Sequence, residues 1–426
     1  MKRLSLFIFS FIWICLTLVN TTAAHALSQC IEANTPVGEA KGIFPGRVVW
    51  SHSPGLVSWD ESDVKWYMDK YINQEDCDWL LVANLCNLTG AGDEHEAWEK
   101  IFRYFNLNHH DKDIGYTKGE LVTIKINNNN TDSHRDSSEI NSTPQLVYSL
   151  IKSLVEAGEV PEECIIIAEP SRFITDYLFN KCHKDFPKVR FVDNIGGEGR
   201  EKAEYEADRM SYSEDNGELA TGIAKAFTDA DYVINMALLK GHVGQGVTLC
   251  GKNWYGAMNI HSDWRKNYHN NFDQSRNGYA KYMTFVDFMG HKDLGGKCIL
   301  WLIDGIYGCR NVGGAPGPRW GMAPFYDEWP NSLFGSLDPV AIDMVGVDFL
   351  TNEFPDMPDV AYSDMYLVEA AQADNPPSGA SYTPSGDGIV LNSLGVAEHW
   401  NDVNEKQYTR NLQSSSNGIE LMYITK

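Results

Sequence analysis

The stretch CIIIAEPS, residues 164–171, decides the fold. Cys164 to Ala168 is an unbroken apolar run rich in β-branched isoleucine. A strand without polar alternation is buried on both faces, and such strands belong to parallel sheets covered by helices on either side. The run stops at Glu169, followed by Pro170 and Ser171. In open α/β sheets ligands bind beyond the carboxyl ends of the strands, so the same eight residues also suggest where a site lies.

The segments around it repeat the pattern. Upstream, Leu121 to Ile126 reads as a strand. Pro144 opens a helix to Ala157, with Leu146, Val147, Leu150, Ile151 and Leu154 at helical spacing. Downstream, residues 171–182 read as a helix, 189–192 as a strand, 222–229 as a helix, 232–239 as a strand and 298–303 as another apolar strand. Residues 94–105, 339–350 and 365–373 read as helices, and Arg47 to His52 as a short strand. The alternation predicts an α/β fold: a mostly parallel sheet flanked by helices, with a loop-rich C-terminal part from Asp374 onward. Residues 305–330, rich in Gly, Pro and Trp, read as one long ordered loop.

The 426-residue chain carries 58 acidic and 35 basic residues, a formal net charge of −23. Such a chain has no general attraction to nucleic acid or to anionic membranes. Its first residues read as a secretory signal: Lys2 and Arg3, an apolar run from Leu4 to Val19, then Ala24-His25-Ala26 as the cleavage pattern. Residues 1–26 are therefore expected to be removed, leaving 27–426 as one large α/β unit with an open C-terminal boundary near residue 374. The mature protein is expected in the periplasm or outside the cell, with no stable membrane insertion. Eight cysteines would remain, an even number that permits disulfides after export, although buried thiols are the alternative. No C-x-x-C occurs, so no iron–sulfur cluster is expected.

Polar residues close several predicted strands. Lys125, Asn127 and Asn129 end one strand, and Glu169 ends the next, with Arg172 close behind. Lys240 and His242 follow a third strand, and Asp304 a fourth. If these strands are neighbours, the residues converge on one edge. The densest segment, LLKGHVGQGVTLCGKNWYGAMNIH (238–261), adds Lys252, Asn253 and five glycines that would let backbone approach a ligand. Gly246, Gly251 and Lys252 approach a phosphate-binding loop, but Asn253 stands where the Mg²⁺-binding Ser or Thr belongs. His242, His261 and His291 are candidate ligands for a divalent metal, though their spacing matches no ligand pattern.

Several stretches resemble the bacterial family called domain of unknown function 362: KGIFPGRVVW (41–50), KIN (125–127), LLKGHVGQGVTLCGKNWYG (238–256), LWLIDGIYG (300–308), SLFGSLDPVAID (332–343), SLGVAEHWN (393–401) and YTRNLQ (408–413). The resemblance implies an α/β fold and frequent export. It implies no established reaction. Some members carry added iron–sulfur modules, whose clustered cysteines this chain lacks.

The expectation from these readings is an exported enzyme acting on a small anionic or carbohydrate-derived compound. Lys240 and Lys252 would hold an anionic group, and His242 would act as acid or base. Asn127 and Asn253 would orient the substrate, while Asp304 and Glu169 would orient His242 or bind a cation. Lys125, Asn129 and Arg172 complete the ligand-binding set. The rival is a non-catalytic periplasmic protein that captures a solute with the same side chains.

Overall fold

A computed structural model describes residues 34–129, 135–214, 221–259 and 279–426. The predicted segment 1–26 and the candidate ligand His261 lie outside these residues. Among those described, ten strands build the main sheet: β1 (Arg47–His52), β2 (Val122–Lys125), β3 (Ile165–Glu169), β4 (Arg190–Asp193), β5 (Glu201–Lys202), β6 (Tyr232–His242), β7 (Gly246–Thr248), β8 (Cys298–Cys309), β9 (Ser332–Ser336) and β10 (Glu420–Thr425). Their order is β10-β1-β9-β8-β6-β2-β3-β4-β5, with β7 folded back onto the end of β6. From β8 to β5 every neighbouring pair is parallel. Only β9 runs against its neighbours on this path. The structure is thus the mostly parallel sheet between helices that the 164–169 run predicts.

Alternation along β6 divides the interior into two cores. Ile234, Met236 and Leu238 face one side, under the helices Gln74–Thr89, Glu94–His110 and Pro144–Glu156. Val233, Ala237 and Leu239 face the other, under Pro339–Glu353, Thr284–Gly290 and Met365–Ala371. Burial on both faces explains why these strands read as continuous apolar runs.

Three segments differ from the sequence expectation. The helix expected over 171–182 is Asp176–Asp185. Ser171 is tied to Glu169, and Asp193 accepts from the amide of Ile174, so the intervening chain is held as a loop. Of the helix expected over 222–229, Thr221–Ala224 is a strand paired with Tyr205–Met210, and only Lys225–Thr228 is helical. The long loop is shorter than expected, because β8 continues to Cys309. The seven described cysteines are free thiols.

The C-terminal part is loop-rich but ends in β10, which lies parallel to β1 at the sheet edge. His52 joins the two, its Nδ1 lying 2.9 Å from the Tyr423 hydroxyl. Burial pushes the His52 pKa down to about 4. Its folded pKa lies below the ordinary value near 6.5, so the unfolded chain binds the extra proton. Stability from this site is present above pH 6.5 and is lost as pH falls towards 4. His52→Phe, which keeps a ring beside Trp50 and Phe325, should flatten the acid limb of a denaturant-midpoint profile measured across that window.

Candidate functional site

Strand β6 sets the site. Its fourth residue, Asn235, lies opposite Lys125, the last residue of β2, so Met236 to His242 run on past the end of β2 while still paired with β8 and β7. From β2 the chain winds outward through β3, β4 and β5, then returns to place β6 on the other side of β2. This reversal of strand order is the place where an open α/β sheet leaves a crevice. A cavity of about 510 Å³ occupies it.

The cavity brings together Lys125, Asn127, Asn129, Glu169, Arg172, His242, Lys252 and Asn253 from the sequence-derived set. Asn128, Ser171, Gln245, Thr248, Tyr255, Gly256 and Val312 also line it. Three short segments therefore supply nearly the whole wall: the ends of β2 and β3, and the turn-rich stretch after β6.

At its floor Lys125 is fully buried and Glu169 is 2 % exposed. Their side chains meet at 2.8 Å, and the lysine also donates to Oδ1 of Asn253 at 3.2 Å and to the carbonyl of Ile126 at 2.5 Å. Glu169 accepts further from Ser171 Oγ and the Asn128 amide. Burial lowers the Lys125 pKa, and the Glu169 charge opposes that shift. Glu169 is therefore the counter-ion of Lys125, where the sequence expectation had it orienting His242 or binding a cation. Gly256 is packed onto the pair: a Cβ there would lie 2.6 Å from Glu169 Oε1 and 2.9 Å from Lys125 Nζ. Gly256→Ala should spread the pair and lower the melting temperature by several degrees, a loss of about 1–3 kcal/mol from overpacking, read by calorimetry.

A second expectation changes in the glycine-rich stretch. Cys250–Asn253 forms one helical turn, and its first amides are already taken. Asp343 accepts from Cys250 N at 2.8 Å and Gly251 N at 2.7 Å, as well as from the Tyr366 hydroxyl. These amides serve an internal carboxylate and do not receive a bound anion. Burial raises the Asp343 pKa to about 6 against the pull of these donors.

Two residues of the expected catalytic set lie outside the cavity wall. Asp304 is buried and accepts from the Thr143 amide at 2.7 Å, from the Thr143 hydroxyl and from the Ile306 amide, which fixes the start of the helix Pro144–Glu156. Lys240 is fully buried, with its Nζ 3.4 Å from the carbonyl of Val312. Burial, and then the Lys252 charge, hold its pKa well below the lysine range. Among the candidate metal ligands, His242 lines the cavity. His291 does not: its Nε2 lies 2.9 Å from the Arg209 carbonyl, and its Nδ1 accepts from the Asp293 amide. Both ring nitrogens are engaged, which removes it as a ligand. Among the described residues no group of three or more His, Cys, Asp or Glu is placed to hold a metal ion.

The central residue missed in sequence is Asn235. It donates to the Cys250 carbonyl and accepts from Asn253. A lone amide inside the run YVINMALL was the available signal, because a fully buried amide must find partners.

A family model described as a domain of unknown function (DUF362) matches residues 122–348, which include every residue of the cavity wall. A comparison with curated proteins gave no match. No helix among the described residues is long and apolar enough to cross a membrane.

Proposed function

The chain belongs to the domain of unknown function 362 family, and from the cavity built by that matched region we propose an exported enzyme acting on a small anionic or carbohydrate-derived compound. The observation that carries this reading is the local reversal of charge. In a chain of net charge −23, the cavity wall holds Lys252, Arg172 and His242 beside a Lys125–Glu169 pair that neutralises itself. A cationic wall in a partly enclosed, low-dielectric site favours an anionic group.

In this reading Lys252 and Arg172 hold the anionic group, and His242 moves a proton. Asn253 positions Asn127, which touches the substrate. Lys240 and Asp304 lie outside the wall and serve the scaffold. Export rests on Lys2 and Arg3, the Leu4–Val19 run and the Ala24-His25-Ala26 pattern. The same wall would serve a protein that only captures a solute, and turnover separates the two.

The test is to incubate the purified protein with small phosphates and carboxylates, following binding by calorimetry and conversion by NMR. Binding should weaken with added salt and fall at least tenfold in Lys252→Met, the loss of one charge-assisted contact. Unchanged affinity in that variant removes the anion-binding role. Binding with no conversion in any mixture favours solute capture.

A further inference from the structure

The polar network behind the cavity fixes which way the amides of its wall are turned. A lysine ammonium has no acceptor, so the Asn253 atom facing Lys125 at 3.2 Å is an oxygen. The nitrogen of that amide then points at Asn235 Oδ1, 2.8 Å away, and Asn235 in turn gives its own nitrogen to the Cys250 carbonyl. Asn127 meets Oδ1 of Asn253 at 2.8 Å and must do so with its nitrogen. The Asn127 oxygen is left buried without a partner. Asn128 is fixed in the same way: its nitrogen donates to the Phe173 carbonyl at 2.9 Å, and its oxygen also lacks a partner. These two residues line the cavity and are 9 % and 5 % exposed.

A buried acceptor left unpaired is costly, and a ligand that satisfies it gains that cost back as affinity. A simple oxyanion offers only acceptors, which suit Lys252 and Arg172 but not two amide oxygens. We infer that the cavity takes a hydroxylated anion, a sugar acid or polyol phosphate, whose acidic group meets Lys252 and Arg172 while two of its hydroxyls donate to Asn127 and Asn128. This deepens the proposed function and rests on the anion site assigned there. The roughly 510 Å³ available accommodates such a molecule.

The experiment is calorimetric titration of the full chain with two matched pairs: D-gluconate against hexanoate, and glycerol 3-phosphate against propyl phosphate. In at least one pair the hydroxylated member should bind about tenfold tighter or more, as two hydrogen bonds to buried acceptors require. Asn127→Ala combined with Asn128→Ala should bring that ratio to near unity, whereas Lys252→Met should weaken both members of the pair alike. The wild-type ratio decides the matter even if the double variant does not fold. Equal affinity within both pairs overturns the hydroxyl assignment and leaves the anion site standing. Failure of all four compounds to bind overturns both.

Discussion

Lys125→Met should lower the unfolding free energy by roughly 3–5 kcal/mol, the cost of stranding one member of a buried ion pair. Glu169 would keep its bonds to Ser171 and the Asn128 amide but would lose its counter-charge at 2 % exposure. Asn253 would lose one of the two donors on its Oδ1, keeping that of Asn127. The companion variant, Lys125→Met with Glu169→Leu, should recover much of the loss, because two apolar side chains strand no charge. Urea unfolding of the three proteins checks this. A single variant as stable as the wild type would mean that the pair does not organise the cavity floor.

His242→Gln should lower turnover by about 10²–10⁴-fold, the usual range for a lost general acid or base. His242 ends β6 opposite Gly246 of β7, where its ring contacts the Val243 carbonyl and its side chain lines the cavity. Glutamine keeps a polar side chain of similar reach but cannot carry a proton through the reaction. The loss should appear in kcat with KM little changed, and the limb of the pH–rate profile that belongs to an imidazole should disappear. Retention of both kcat and that limb would assign proton transfer elsewhere. A large rise in KM alone would make His242 a binding residue.

The parts legible in the sequence were those where a single physical rule dominates. Burial on both faces made β3, β6 and β8 unmistakable. Where the apolar signal stopped at a carboxyl end, the wall residues Lys125, Glu169 and His242 could be named. The helix Gln74–Thr89 was missed because its inward stripe contains Asn84 and Thr89. Asn84 bonds the Val49 and Leu333 carbonyls across two strands, a role no periodicity reveals. Strand β9 was missed because its SLFGS run has serine at both ends, and Ser332 accepts from the buried indole of Trp50. Asp304 misled for a related reason. It sits inside β8 and not just after it as expected, and its carboxylate is taken up by Thr143. Position along a strand is legible in sequence, whereas the partner a side chain chooses is set by which helix arrives next to it.

Strand β1 begins at Arg47, and its edge partner β10 begins at Glu420. The ribosome must therefore reach residue 420 and beyond before β1 finds its outer neighbour. Until then the backbone of β1, with Trp50 among its side chains, offers an open template to any other extended chain. Residues 420–425 thus act as a closing clasp, and a message truncated before residue 420 should yield a product that aggregates through an unsealed edge.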